Sequence, residues 1–327
     1  MGKTKKSLPG ANHDPELVRR RAGQAMRLLE QCTLCPRRCG ARRLHDQAGF
    51  CGIGRLARVA SFGPHFGEES VLVGAGGSGA IFFAGCNLQC VFCQNHAISS
   101  VQAGQGARGE EVSAAELAGI MLELQHRGCA NINLVTPSHV VPQILEALAL
   151  AVQQGLRLPV VYNSSGYDQV ETLRVLDGIV RIYMPDCKFW SADRAEKYLA
   201  AADYPDVMRA ALAEMHRQVG DLRVDEHGLA VSGLLVRHLV MPGQPDETGQ
   251  IVQFLAERIS RETYVNIMEQ YHPCFRAREF PEINRPLARE EYQQAMAVAR
   301  AAGLHRLEEP DIRRLLALLH NREQELG

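Results

Sequence analysis

The sequence lacks the features that place a chain in a membrane or on nucleic acid. None of its apolar runs reaches the length needed to cross a bilayer. Its 36 Lys and Arg residues balance 37 Asp and Glu residues, so a net charge of −1 gives no bulk attraction to nucleic acid. The opening MGKTKKSLPG is basic, but no apolar stretch follows it, which disfavours a secretory signal. We therefore expect a cytoplasmic protein with no membrane partner, and a nucleic-acid partner is disfavoured.

Cysteine, in contrast, is abundant and clustered. Seven of the ten cysteines fall in two tight groups. Disulfides persist mainly in exported proteins, so in a chain without an export signal such grouping favours metal binding in a reducing compartment.

The first group to consider lies in GAIFFAGCNLQCVFCQNHAIS, from Gly79 to Ser99. Cys86, Cys90 and Cys93 have the spacing C-x3-C-x2-C and follow a short apolar run that predicts a buried strand. Thiolates are the usual ligands of iron–sulfur clusters, and three of them leave one iron of a four-iron cluster open to a substrate or cofactor. The alternatives are a zinc knuckle, for which only His96 stands near as a fourth ligand, or three unligated buried thiols.

The second group comes earlier, in CTLCPRRCGARRLHDQAGFCGIG. Cys32, Cys35, Cys39 and Cys51 have the spacing C-x2-C-x3-C-x11-C and follow a helix predicted over 16–31. Four cysteines among turn-forming Pro and Gly residues suit a small metal-wrapped loop. The metal could be a structural zinc or an auxiliary iron–sulfur cluster, and reduced thiols without metal remain an alternative.

After the core cysteines, the pattern alternates between helices and strands. The predicted strands begin at Ile81 and then cover 131–136, 158–162, 178–184, 232–240 and 263–268. The predicted helices between them cover 113–127, 140–154, 168–176, 192–201, 205–219 and 248–260. Repeated βα units imply a parallel sheet with right-handed crossovers, so the expected fold is a partial TIM-like (β/α)6 barrel.

The segments outside this core are expected to be smaller additions. Residues 1–75 are predicted to be an N-terminal helix and Cys-rich metal-binding segment, with two short strands around a turn over 58–73. Residues 76–275 form the predicted core. Residues 276–327 are predicted to form a helical cap, with one helix starting near Ala288, another after Pro310 and a short strand over 304–307.

Polar residues follow every predicted strand, at the end where a barrel of this kind has its site. These residues are Thr136, Ser138 and His139; Asn163, Ser164 and Ser165; Asp186 and Lys188; Arg237 and His238; and Glu269, Gln270 and Tyr271. Upstream, His65, Glu68 and Glu69 could line the same site or cap a loop. Tyr162, Tyr167, Trp190 and Tyr271 could stack on a substrate or simply pack the barrel.

The spacing of Cys86, Cys90 and Cys93 resembles that of the radical S-adenosylmethionine (radical SAM) enzymes. There, the open iron binds SAM, and reductive cleavage yields a 5′-deoxyadenosyl radical that abstracts a hydrogen atom. The resemblance implies a 4Fe–4S cluster, SAM and an electron donor of the flavodoxin or ferredoxin type.

Three later segments resemble the pyruvate formate-lyase activating enzymes within that superfamily. They are YNSSGY (162–167), MPDCK (184–188) and VRHLVMPG (236–243). In that group, the segments hold SAM and a monovalent cation near its carboxylate. The resemblance implies cation ligands at Asn163, Ser164, Met184 and Asp186, and SAM contacts at Lys188 and Arg237.

One motif of the activating enzymes is missing. Their Gly-Gly-Glu, which holds the SAM amino group, is replaced by LVTPSH (134–139), so Thr136 and Ser138 are expected to supply neutral acceptors instead. The segments LCPRRC, HFGEE, NINLVTPSH and RHLVMPG resemble those of an uncharacterised iron–sulfur family homologous to the activating enzymes. That resemblance covers about 32–271 and implies the chemistry but no substrate.

Three functional hypotheses follow. The first is a radical enzyme that activates a glycyl-radical enzyme by taking a hydrogen atom from a glycine backbone. The second is a radical enzyme that acts on a small molecule, a peptide or a nucleic acid. The third, a non-catalytic iron–sulfur electron carrier, is the least favoured, because a carrier needs neither a barrel nor a SAM pocket.

Overall fold

The computed structural model of the chain describes residues 13–101 and 108–308. Within them, the helices are α1 (Pro15–Arg27), α2 (His96–Ser99), α3 (Ala114–His126), α4 (Val141–Gln153), α5 (Val170–Leu176), α6 (Ala192–Leu199), α7 (Tyr204–Val219), α8 (Pro245–Phe254) and α9 (Arg289–Ala301). The strands are β1 (Ala57–His65), β2 (Ser78–Phe83), β3 (Glu110–Val112), β4 (Ile132–Val135), β5 (Val160–Ser164), β6 (Ile182–Pro185), β7 (Arg223–Val224), β8 (Ala230–Leu239) and β9 (Tyr264–Met268). The helix predicted after Pro310 lies outside the described residues.

Six parallel strands form the centre of the molecule. They pair in chain order, β2-β4-β5-β6-β8-β9, as the βα pattern predicts. β1 extends the sheet as an antiparallel neighbour of β2, and β3 pairs with β1. Beyond β9, the predicted strand over 304–307 is present as a single parallel bridge between Val265 and Leu307. The fold is therefore mixed α/β around one central sheet.

The helices begin and end where local chemistry dictates. At the start of α3, the Ser113 hydroxyl accepts from the Glu116 amide at 3.2 Å, and the Glu116 carboxylate accepts from the Ser113 amide at 2.7 Å, which completes the predicted capping box. α1 is shorter than predicted and ends at Arg27, because the chain turns there towards Cys32 and the N-terminal cysteines. None of the described helices is long and apolar enough to cross a membrane.

One face of the sheet packs against helices, and the opposite, inner face carries a separate apolar cluster. Successive strand residues point to opposite faces, so Val161, Ile182, Met184 and Leu235 share the inner face. All four are buried, and they pack with Leu72 from the chain that follows β1.

The segment after β1 differs from the prediction of two short strands over 58–73. Only β1 forms there, and residues 66–73, here named the lumen loop, then leave the sheet and pack against its inner face. A single turn of 3₁₀ helix over Ser70–Leu72 buries Leu72, whose carbonyl accepts a 2.8 Å hydrogen bond from Asn131 Nδ2. Burial of one leucine is worth about 1.5–3 kcal/mol, and local periodicity carries no signal for such a contact.

Candidate cofactor and metal site

The core cysteines lie on the loop that leaves the carboxyl end of β2. Gly85 starts this loop with a φ of +78°, and a Cβ there would lie 2.4 Å from the Cys51 carbonyl oxygen, so the turn requires glycine. The thiols of Cys86, Cys90 and Cys93 are half-buried and line a cavity of about 200 Å³. Its other walls include Phe50, Leu88, Val101, Phe275 and Arg276.

The surroundings of these thiols suit ligation by a positively charged group. Burial raises the pKa of the Cys86 thiol to about 12, and the nearby Lys188 ammonium only partly offsets it. Burial also raises the pKa of Cys90. Thiols in this state bind as thiolates when a metal supplies compensating charge.

The spacing of the sulfur atoms bears on which metal group fits. Among the described residues, no three His, Cys, Asp or Glu side chains converge closely enough to hold one metal ion. A single zinc ion needs its sulfur ligands about 2.3 Å from one point, whereas the ligands of an iron–sulfur cluster sit on different irons and stand further apart. The donor set of Cys86, Cys90 and Cys93 fits the thiolate ligation of an iron–sulfur cluster.

Next to the cysteines, charged side chains converge at the carboxyl ends of β5, β6 and β8. Lys188 Nζ lies 2.6 Å from Asp186 Oδ2. Burial alone would lower the pKa of Lys188, but Asp186 and Cys90 raise it, so the ammonium stays charged. Asn163 Oδ1 lies 3.5 Å from Arg237 Nη1, on the inner face. The structure thus brings four of the sequence-predicted cofactor residues together.

Arg237 is held by the carboxylates of the lumen loop. Its Nε and Nη2 lie 2.7 Å and 2.6 Å from the two Glu69 oxygens, and it also bonds Glu68. Asn266 Nδ2 donates to Glu69 at 2.7 Å, and His65 Nδ1 lies 3.4 Å from Glu68. His65, Glu68 and Glu69 therefore line the inner face, one of the two roles considered for them.

Interactions within this network shift the pKa values of Arg237, Glu68 and His65. Burial alone would disfavour the Arg237 charge, but Glu69 and Glu68 raise its pKa. Likewise, burial would raise the pKa of Glu68, but His65 and Arg237 lower it. The hydrogen bond to Glu68 raises the pKa of His65. The lumen loop thus carries the carboxylates of Glu68 and Glu69 into the inner face, where Arg237 binds both.

The serines predicted as cofactor contacts face elsewhere. Ser164 Oγ donates to Asp168 Oδ2 at 2.6 Å, and Tyr162 donates to Asp168 Oδ1 at 2.9 Å. Ser138 is buried beside the same carboxylate. Asn163 and Ser164 are adjacent in β5 and so point to opposite faces. Sequence reasoning missed Asp168, which supports the site from behind.

Thr136 has an unusual backbone conformation. Its φ is +61°, which is strained for a β-branched residue, and its amide donates to the Asn163 carbonyl at 2.9 Å. Such strain is found mainly where a function requires the geometry.

His139 is not placed to meet a substrate. It is 1% exposed, and its Nε2 lies 2.8 Å from the Ala84 carbonyl oxygen, so the ring packs beneath the cysteine loop. Burial lowers its pKa to about 4, which keeps it neutral.

The four aromatic residues also pack within the protein. Tyr167 bonds Asp203 and stacks on Tyr204, while Trp190 contacts Phe254 and Arg209. Tyr271 donates to the Ile283 carbonyl, and Tyr162 lies against Tyr183. Met184, for its part, is fully buried in the inner apolar cluster.

The N-terminal cysteine segment packs directly on the core loop. Arg37 Nε donates to the Asn87 carbonyl at 2.9 Å and Nη1 donates to the Ala200 carbonyl at 2.6 Å. Cys32, Cys35 and Cys51 are buried, while Cys39 is exposed. Cys51 is near enough to Cys86 for their charges to interact.

The sequence has a clear relative among curated proteins. It is 32% identical, over 293 residues, to the uncharacterized protein MJ0674 of Methanocaldococcus jannaschii, covering 89% of this chain and 80% of that protein. The chain belongs to the family of this archaeal protein. No protein-family model matches the chain.

Two solved structures share part of the architecture. One is the radical S-adenosylmethionine methyltransferase TsrM from Kitasatospora setae, with cobalamin and a 4Fe–4S cluster bound: TM-score 0.48, 13% identity, and coverage of 72% of this chain and 55% of TsrM. The other is TYW1 with a lysine-pyruvate adduct bound: TM-score 0.40, 11% identity, and coverage of 68% of this chain and 72% of TYW1. The chain thus spans about half the length of TsrM, and neither likeness is close enough to assign a function.

Proposed function

We propose that the protein is a radical SAM enzyme, with a sheet that forms the partial (β/α)6 barrel of that superfamily. The observation that carries the proposal is the position of Cys86, Cys90 and Cys93. They line one cavity beyond the carboxyl end of the first of six parallel strands. Three cysteine ligands would leave one iron of a 4Fe–4S cluster open for SAM.

A bound 4Fe–4S cluster would supply the electron for reductive cleavage of SAM, the chemistry that leads to hydrogen abstraction from a substrate. The protein's own residues hold and orient the cofactor. The Asp186 carboxylate and the Asn163 amide would bind a monovalent cation next to the SAM carboxylate. Lys188 contributes a second positive charge from the same loop, and the Thr136 hydroxyl offers a neutral acceptor to the SAM ammonium.

We assign Arg237 a structural role in place of the SAM contact that the resemblance implies. Its guanidinium is bound by Glu69 and Glu68, so it fixes the lumen loop and orients Asn163. Ser164 and Tyr162 support the same surface through their hydrogen bonds to Asp168. The site therefore depends on side chains that never reach SAM.

For the substrate, we propose a glycine backbone of a glycyl-radical enzyme, with electrons from a flavodoxin- or ferredoxin-type donor. The apolar walls that Phe50, Val101 and Phe275 give the cavity beside the cysteines suit the approach of a peptide loop to the cofactor. A small molecule, another peptide or a nucleic acid is the alternative substrate. A non-catalytic electron carrier ranks below both.

The test of the chemistry is cofactor cleavage by the reconstituted protein. The anaerobically prepared, reduced protein should convert SAM to 5′-deoxyadenosine. Cys86→Ala should abolish this product together with the core cluster's visible absorption. Cys129→Ala is the matched control, because Cys129 is a buried thiol outside both cysteine groups. Cleavage that persists in Cys86→Ala would overturn the assignment.

The substrate class needs a separate experiment. The reduced protein would be mixed with SAM and a glycyl-radical enzyme encoded close to it in the genome. Activation would produce the doublet signal of a glycyl radical in electron paramagnetic resonance spectra. Formation of 5′-deoxyadenosine without the glycyl-radical doublet would favour the alternative substrates.

A further inference from the structure

The N-terminal cysteine segment forms a built pocket of sulfur atoms. A Cβ placed at Gly49 would lie 3.2 Å from Cys39 Sγ and 3.7 Å from Cys51 Sγ, so the two sulfurs flank one small space.

Chain reversal brings these cysteines together. The Gly40 amide donates to the Cys32 carbonyl at 3.1 Å, and the Cys32 amide donates to the Ala41 carbonyl at 3.0 Å. Gly40 has a φ of +68°, which permits this tight return. The segment is therefore folded around its cysteines by its own backbone.

A buried arginine independently points to a negatively charged occupant. Arg43 is only 1% exposed, and its Nη1 donates to the His139 carbonyl at 2.8 Å and lies 3.8 Å from Cys32 Sγ. Its Nε donates to the Gly54 carbonyl at 3.1 Å, while Nη2 has no partner.

Among the described residues, no carboxylate forms an ion pair with Arg43, although its charge acts on Cys39 and Cys51. A buried charge without a counter-charge costs several kcal/mol. Thiolates that carry a metal centre would supply that counter-charge, because a cluster held by four cysteines is anionic overall.

We propose that Cys32, Cys35, Cys39 and Cys51 hold a second iron–sulfur cluster, with Arg43 as its buried counter-ion. Zinc is the other group that four thiolates hold, and it carries no acid-labile sulfide, so the two are distinguishable. Four ligands leave no open iron, so this cluster binds no substrate. It ties the segment between α1 and β1 to the core loop, next to the core cysteines.

The test separates this cluster from the core one. The variant with Cys86, Cys90 and Cys93 all replaced by alanine is prepared anaerobically and reconstituted with iron and sulfide. It should retain iron and acid-labile sulfide in equal amounts, with the Mössbauer spectrum of a cluster. Zinc without sulfide, or a folded variant free of metal, would overturn the proposal. Neither outcome bears on SAM cleavage by the unaltered protein.

A milder variant guards against misfolding. Cys39 is exposed, so adding Cys39→Ser to the triple variant should leave the fold intact, as judged by circular dichroism, while changing the Mössbauer or electron paramagnetic resonance spectrum. An unchanged spectrum would remove Cys39 from the ligand set and contradict the four-cysteine site.

Arg43 is tested as a charge rather than as a packing group. In the triple-alanine variant, Arg43→Met should speed the loss of iron to a chelator several-fold. Arg43→Lys, which keeps the charge, should restore most of the retention. Equal rates in the two variants would show that Arg43 only packs, and would overturn its role as counter-ion.

Discussion

Asp186 is the residue at which the core charges meet. It follows β6, pairs with Lys188 at 2.6 Å, and its amide donates to the Ser164 carbonyl at 3.0 Å. The loop backbone is thus fixed independently of the carboxylate. A change at the side chain should therefore report on charge more than on fold.

We expect Asp186→Ala to weaken SAM binding by about tenfold or more, which corresponds to about 1.4 kcal/mol. The physical reason is the loss of the carboxylate that would hold a cation beside SAM. Titration of SAM into the reconstituted variant in potassium buffer measures it. The cluster absorption should be unchanged, because Asp186 is not a ligand. The control is Asp246→Ala, because Asp246 forms an exposed ion pair with Arg194. An unchanged dissociation constant for SAM in Asp186→Ala would exclude Asp186 from the site.

His139 makes stability depend on pH. Its pKa in the folded protein is about 4, below the ordinary 6.5, because burial disfavours the charged ring. The unfolded chain therefore binds a proton first as the pH falls, so this contribution is complete above pH 6.5 and is lost towards pH 4.

The expected loss from His139 alone is roughly 2 kcal/mol of unfolding free energy between pH 7 and 4.5. His139→Gln keeps a donor for the Ala84 carbonyl but does not titrate. As the pH is lowered, the free energy of unfolding in urea should fall more for the original protein than for His139→Gln. A constant difference between the two proteins would contradict the buried neutral histidine.

The lumen loop is the element that most affects how the inner face is built. It places Leu72 in the apolar cluster and Glu68 and Glu69 against Arg237. Its far end is tied down as well, since the Ser70 amide and the Tyr264 hydroxyl both donate to the Glu308 carboxylate.

We expect Arg237→Ala to lower the free energy of unfolding by about 3–5 kcal/mol, because it leaves two buried carboxylates without their cation. Arg127→Ala serves as the comparison, since it breaks an exposed pair with Glu123 on α3 that is worth only about 0.3–0.5 kcal/mol. Chemical denaturation of the metal-free proteins measures both. Similar losses in the two variants would show that the lumen loop is not held by Arg237.

The sequence predicted the elements that depend on local pattern. The six parallel strands and the start of α3 follow from hydrophobic periodicity and capping chemistry, and the structure confirms them. The second short strand predicted at the end of 58–73 was wrong, because the burial of this part of the lumen loop depends on residues distant in the chain. Asp168 was missed for another reason: its partners Tyr162 and Ser164 are near in the chain, but the direction of their side chains depends on how β5 sits in the sheet.

The candidate site was predictable in position but only partly in detail. Asn163, Asp186, Lys188 and Arg237 do meet at the strand ends, as the parallel arrangement requires. The direction of each side chain, by contrast, depends on register and on neighbours. That is why Ser164 turns away from the inner face, and its assignment as a ligand stays a prediction.

At the scale of the whole molecule, one hydrophobic core joins the N-terminal segment to the rest. It runs from Val18 in α1 to Leu304 after α9. We propose that the segment before residue 76 unfolds together with the core, although the predicted boundaries treat it as a separate unit.

Ala25→Asp tests this cooperativity. Ala25 is fully buried in α1, so the substitution buries an unpaired carboxylate and should lower overall stability. Trp190, the only tryptophan, lies far along the chain and reports on the core by its fluorescence. In Ala25→Asp, the unfolding midpoint measured by Trp190 fluorescence should fall together with the midpoint measured by circular dichroism. The control is Gly23→Asp, at an exposed position of the same helix with open space around it. An unchanged midpoint of the tryptophan fluorescence transition in Ala25→Asp would indicate an independent N-terminal unit.

The lumen loop also determines how a substrate and its product must travel. In the part of the chain that the structure describes, Leu72 and its apolar neighbours fill the inner face near the amino ends of the strands. We therefore expect a substrate to approach Asn163 and Asp186 from the other end, where the cysteines line their cavity. A small molecule would leave by the route through which it entered, so its release would have to precede the next arrival. A large partner would have to insert one narrow projection and keep its bulk outside.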